Sequence, residues 1–144
     1  MISKAIYRAL HNAKQKKWGK TFWAFDIHET IVKPNWSTEK ISTEFYPFAK
    51  EALQLISQRT DVTSILYTCT HPKELEKYLI FFRQNGIHFD YVNENPEVVS
   101  KNYGYFEKKP YFNVLFEDKA GFDAENDWKE VLKIINKNQE ICSV

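Results

Sequence analysis

Three short strand-like runs in this chain each stop on a residue able to do chemistry. Phe22-Trp23-Ala24-Phe25 stops at Asp26, Val62-Thr63-Ser64-Ile65-Leu66-Tyr67 at Thr68, and Val114-Leu115-Phe116 at Glu117-Asp118. Runs of this length and character read as strands buried on both faces. Helical spacing fills the intervals. Ile2, Ile6, Leu10 and Ala13 mark a helix over residues 2–15. Phe48, Ala52, Leu53, Leu55 and Ile56 mark a second, and Pro47 suits its first turn. Leu75, Tyr78, Leu79 and Phe82 mark a third over residues 72–85, closed by Asn85-Gly86. Trp128, Val131, Leu132, Ile134 and Ile135 mark the last. Phe89–Val92 reads as one more short strand, and residues 93–109 as mostly loop. Alternating strands and helices predict an α/β fold in three layers, a central, mostly parallel sheet with helices on both faces. Ligands bind such sheets beyond the carboxyl ends of the strands. Asp26, Thr68 and Asp118 are therefore expected at one edge.

Composition supports a single core. Hydrophobic residues make up 43% and aromatics 16% of the 144 residues, enough to fill it without disulfides. Cys69 and Cys142 form neither a disulfide framework nor a CxxC pair, which points to a reducing, cytoplasmic setting. No apolar stretch suits a secretory leader or a membrane span. Charge is uneven: residues 1–20 hold Lys4, Arg8, Lys14, Lys16, Lys17 and Lys20 and no acid. We read residues 1–20 as a basic amphipathic N-terminal helix and 21–144 as the core domain. The helix is expected to pack its Ile2–Ile6–Leu10 stripe on that domain or on a partner chain. Nucleic acid phosphates and an acidic membrane surface are the alternatives for its lysines.

Asp26, Thr68, Lys109 and Asp118, in that order, suit phosphoryl transfer. A carboxylate is an ionised nucleophile at neutral pH and can form an aspartyl-phosphate. A second carboxylate helps to hold Mg²⁺, while a hydroxyl and an ammonium balance phosphoryl charge. Phe25-Asp26-Ile27-His28-Glu29-Thr30-Ile31 resembles motif I, D-x-D-x-T, of the haloacid-dehalogenase-like (HAD) superfamily. Ile65-Leu66-Tyr67-Thr68 looks like its motif II, Lys109 suits motif III, and Phe116-Glu117-Asp118 with Asp123 looks like motif IV. Leu66–Cys69 and Ile87–Asn95 resemble a small bacterial and phage group within it. The resemblance spans about residues 21–136 and implies a Rossmann-like HAD fold acting as a Mg²⁺-dependent phosphomonoesterase. It implies Asp26 as nucleophile and metal ligand, the backbone carbonyl of His28 and the carboxylate of Asp118 as further ligands, and Glu117 and Asp123 as outer acids. Thr68 would bind the phosphoryl group, and Lys109 would neutralise it, with Lys108 competing for that role.

One position departs from the pattern. The family's phosphatases carry an acid–base Asp two residues after the nucleophile, where this chain has His28. Histidine can do acid–base work near neutral pH. Two readings follow: a working phosphomonoesterase, or a catalytically impaired HAD-like module that binds a phosphorylated ligand or a protein partner. Simpler roles compete residue by residue. Thr68 could cap the helix near His71-Pro72, and Lys109 could be a surface lysine. Cys69 lacks the arginine of a C-x5-R loop, since Leu75 stands there, and His28, His71 and His88 lack zinc-site spacing. A receiver domain places its acidic pair early and its acceptor Asp near the middle, the reverse of the order here. Residues 27–67 and 93–109 leave no room for a large cap domain. An open site admits a bulky phosphorylated substrate, a nucleic acid end or a phosphoprotein, or cover from a second subunit in a homodimer. Trp36, Tyr46, Tyr103 and Tyr105 are candidate rim residues.

Overall fold

A computed structural model describes residues 1–37, 39–101 and 104–138. The elements run α1 (Ile2–Gln15), β1 (Thr21–Phe25), α2 (Ala49–Gln58), β2 (Val62–Leu66), α3 (Pro72–Gln84), β3 (Tyr91–Val92), β4 (Val114–Phe116) and α4 (Asp127–Lys137), with a 3₁₀ turn at Asp118–Ala120. The four strands form one parallel sheet in the order β3-β2-β1-β4. β1 is central and all five of its residues are buried, as its unbroken apolar run requires. Phe25 is in register with Leu66 on one side and Phe116 on the other, so the three strands end in one row.

Strand order dictates what covers each face. From β1 the chain steps outward to β2 and β3, then returns across β2 and β1 to β4. Right-handed crossovers put the outward and return connections on opposite faces. Buried residues from all four helices join one core with Trp23, Phe25, Val62, Leu66, Val114 and Phe116. The other face, Phe22, Ala24 and Ile65, is covered by Val98, Tyr111 and Phe112 from the return segment. Three layers are present, but the expectation of helices on both faces holds on one only. The return segment, residues 93–113, has no apolar period to build a helix.

Alternating side chains place Trp23 and Phe25 on the helical face. Phe25 stacks on Phe116 at 4.4 Å, and Trp128 of α4 lies over both, parallel to Phe116 at 5.7 Å. Each such fully buried aromatic contributes about 1.5–3 kcal/mol over an exposed one. At the opposite end of the strands, Arg59 grips the buried Asp61 carboxylate with two hydrogen bonds of 2.8 Å and donates to the Asn138 carbonyl at 2.7 Å. This ties the start of β2 to the end of α4.

Local expectations differ in two places. α2 begins at Ala49, preceded by Phe48 in a left-handed conformation (φ 66°), so Pro47 lies in the turn before the helix. β3 pairs only over Tyr91–Val92, because Asp90 uses its carboxylate as well as its amide on Ser64, each at 2.8 Å. Among the described residues no helix is long and apolar enough to cross a membrane.

Candidate functional site

The carboxyl ends of β1 and β4 meet where the chain's connections diverge, the crevice in which open α/β sheets bind ligands. Asp26 extends the β1–β4 ladder by one bond, its N–H donating to the Phe116 carbonyl at 3.0 Å. That pairing sets its side chain beside Glu117 and Asp118. Carboxylate oxygens of Asp26, Glu117 and Asp118 lie within 4.8 Å of one another, all half-buried. Asp26 Oδ1 also accepts the Ile27 N–H at 2.8 Å.

The loop after Asp26 is built to hold it. Ile27 and Ile31 are buried, and the Ile31 N–H donates to the Ile27 carbonyl at 2.8 Å, making one tight turn. Glu29 takes a left-handed φ of 58° at the turn's outer side and shares a hydrogen bond with the Asp118 carboxyl. Trp128 fastens the turn from below, its indole N–H donating to the Thr30 carbonyl at 2.7 Å. The Thr30 hydroxyl is buried and has no hydrogen-bond partner among the described residues.

Crowded charge sets the electrostatics. Burial raises Asp26 above the ordinary carboxylate value, and Asp118 adds to the rise, against the Ile27 N–H and the charges of His28 and Lys119. Burial also raises Glu117, with help from its hydrogen bond to Asp118. Burial opposes ionisation of Asp118 too, but shared hydrogen bonds from Glu117 and Glu29 and the Lys119 N–H bring it below the usual range. Burial and neighbouring charge thus favour a proton or a cation at Asp26 and Glu117. Its donors are all hard oxygens. Octahedral coordination at about 2.1 Å places donors about 3–4 Å apart, so small side-chain rotations suffice for a divalent ion.

His28 faces elsewhere. Its Nε2 is 2.7 Å from the hydroxyl of buried Tyr78 on α3, which accepts the Ser42 N–H at 3.0 Å. The ring meets Tyr78 edge-on at 5.2 Å. Thr68 follows β2, two residues beyond the row of strand ends. Its backbone is paired both ways by the Asn93 side-chain amide at 2.8 Å, and its hydroxyl engages Thr70 at 2.8 Å. His71 begins α3 without a side-chain cap, so Thr68 is not its cap.

The other predicted residues scatter. Lys108 and Lys109 are exposed on the return segment, and among the described residues neither forms a hydrogen bond or ion pair with the cluster. The lysine whose charge acts on Asp26 is Lys119, next to Asp118. Asp123 is committed to the start of α4, where its carboxylate accepts the Glu125 N–H and the Asn126 amide. Trp36 is 87% exposed and Tyr105 70%. Tyr46 lies where the charges of Glu29, Glu125, Lys33 and Asp118 reach its hydroxyl. Tyr103 and Cys142 lie outside the described residues, and Cys69 is free and exposed. Clefts of about 300 Å³ beside β3 and about 230 Å³ within residues 93–110 are lined by other residues than the three acids.

Sequence reasoning missed Glu29, Lys119 and Tyr78 as parts of this neighbourhood. Glu29 sits inside the motif I stretch and Lys119 directly after motif IV, which is the signal that pointed there.

Among solved structures, the chain is similar to the structure of a conserved protein coded by a locus from Bacteroides thetaiotaomicron. The TM-score is 0.62 at 23% identity, over 83% of this chain and 93% of that one. Likeness at this identity shows the fold alone. No family model matches the chain, and no curated protein does.

Proposed function

We propose that this chain is a HAD-like, Mg²⁺-dependent phosphomonoesterase that works through an aspartyl-phosphate on Asp26. The observation that carries this reading is the gathering of Asp26, Glu117 and Asp118 at the carboxyl ends of adjacent parallel strands. The hydrogen bond from Ile27 to Oδ1 leaves Oδ2 of Asp26 for attack on phosphorus. The Asp26–phosphorus bond forms as the ester bond breaks, and the departing alkoxide takes a proton. Water then attacks the same phosphorus, releasing phosphate and restoring the carboxylate. His28 is the group proposed to move the proton. With Nε2 on Tyr78, its Nδ1 is the atom left for that task. Asp26, Asp118 and the His28 carbonyl would hold Mg²⁺, which supplies charge neutralisation and polarises the phosphoryl oxygens. Thr68 is proposed to bind the phosphoryl group, and Lys119 replaces Lys109 as the cation beside Asp26. The open cluster suits a macromolecular phosphoester, or cover from a second copy of the chain.

Asp26→Asn tests this directly. Phosphate release from p-nitrophenyl phosphate in Mg²⁺ should fall by at least about 10³-fold, the scale seen when a nucleophile is removed. Equal release by both proteins, or none by the native chain across a broad panel of phosphoesters, would sink the proposal.

A second reading draws on His28. A ring tied to a buried tyrosine hydroxyl looks structural rather than poised over a leaving group. On that reading the chain is a module that binds a phosphorylated ligand or partner without turning it over. Mg²⁺-dependent binding of a phosphoester with no hydrolysis would favour it.

A further inference from the structure

α1 divides into two unlike faces. Ile2, Ile6 and Ala9 are buried in the core shared with the sheet, and Ala13 is buried one turn further on. At about 100° per residue, Lys4, Tyr7, Arg8, His11 and Lys14 fall together on the opposite side, and all five are exposed. Lys16 and Lys17 follow the helix, also exposed, with Lys16 over the Trp18 ring at 5.1 Å.

These cations are unbalanced. Residues 1–20 contain no acid. Among the described residues no carboxylate lies within ion-pair distance of Lys4, Arg8, Lys14, Lys16 or Lys17, whereas Lys20 is paired with Glu97 at 2.8 Å.

The row has direction. α1 packs on β1, β4 and α4, and residues 16–20 turn the chain straight back into β1, so the helix runs antiparallel to that strand. Lys14–Lys17 lie towards the start of the strands, and Lys4 towards the edge that carries Asp26. Lys4 and Lys14 are about 15 Å apart along the axis. A nucleic acid duplex presents about nine phosphate charges over that distance.

A membrane surface fits less well. Interfacial helices bind lipid by burying an apolar face, and the apolar face of α1 is occupied by the core. Tyr7, 47% exposed, and Met1 at the helix start, 93% exposed, are the large apolar side chains left outside. We infer that the outer face of α1, with Lys16 and Lys17, docks the phosphate backbone of a nucleic acid without base selectivity. The inference needs no hydrolysis, and so stands or falls apart from the phosphatase reading.

The test is fluorescence anisotropy of the full chain with a labelled DNA of about 20 base pairs and its single strand, from about 50 mM salt upward. Five phosphate contacts, one for each of Lys4, Arg8, Lys14, Lys16 and Lys17, predict a slope of log K on log[salt] of about −4 to −5 on the duplex. The triple variant Lys4→Gln, Arg8→Gln, Lys14→Gln should bind at least about tenfold more weakly and lose about two to three units of that slope. Its circular dichroism should be unchanged, since all three side chains are exposed. No binding at low salt, or undiminished binding by the folded variant, would overturn the inference. So would capture by phosphatidylserine-containing vesicles with DNA left unbound.

Discussion

In the folded chain the carboxyls of Asp26 and Glu117 keep a proton to higher pH than free side chains do, mainly through burial. At neutral pH both are held in the form that the fold disfavours. As pH falls through their folded values the folded state takes up protons ahead of the unfolded chain, so stability rises, until the ordinary values near 3.8 and 4.5 are reached. Asp118 works oppositely: its charge stabilises above 3.8, and that contribution is lost as pH falls through its lower folded value. Asp26→Asn keeps an oxygen for the Ile27 N–H while removing one charge. The metal-free variant should therefore melt above the native protein at pH 7, with the gap closing as pH drops towards 3.8. The rise should be modest, because the group is only half-buried and water screens it. Thermal melts of both proteins with chelator, across that range, decide it. A gap that is absent at pH 7 or that widens in acid would show that Asp26 carries no burden of buried charge. Added Mg²⁺ should raise the native protein's melting point most at neutral pH, where protons compete least.

Among the elements, α3 meets the loop before α2 through Phe45, stacked on Phe81 at 5.3 Å, and through the Tyr78 hydroxyl. Tyr78 accepts from Ser42 and meets His28, partners 36 and 50 residues away in sequence. Tyr78→Phe keeps the ring packing but leaves the buried Ser42 N–H without its acceptor. The expected cost is about 1–3 kcal/mol, read as a lower urea midpoint at unchanged slope. An unchanged midpoint would mean that the bond holds nothing together. This link also marks a limit of sequence reading. Tyr78 was legible as a core residue, because helical spacing reports burial. Its hydroxyl's partners were not, because they depend on how a loop without periodicity returns. The same reasoning separates the site residues. Asp26 and Asp118 were legible as neighbours because each ends an apolar strand, and parallel pairing aligns strand ends. Glu29 depends on a left-handed backbone that no glycine announced, and the position of Lys109 on a segment whose path is set by the strands it crosses.

At the scale of the whole molecule, the parallel sheet and the single core were foreseeable from alternating periods, but the composition of the third layer was not. Burial of Phe22, Ala24 and Ile65 shows that a face is covered without saying by what. Here the cover is chain held by few backbone bonds, such as Val98 to Asn95 at 3.3 Å and the Lys101–Gly104 bridge. Stability follows buried contacts and hydrogen bonds, so this layer should open separately from the rest. Native-state hydrogen exchange should show amides of residues 95–101 and 104–112 exchanging far faster than those of Thr21–Phe25. Equal protection would mean that the layer and the sheet open together. The uneven cover has a further consequence. Each local opening bares one side of the central strands while the helical side stays folded. The native protein then presents a flat, apolar, partly aromatic surface to its neighbours. Self-association at high concentration should begin on the side of the sheet that has no helices.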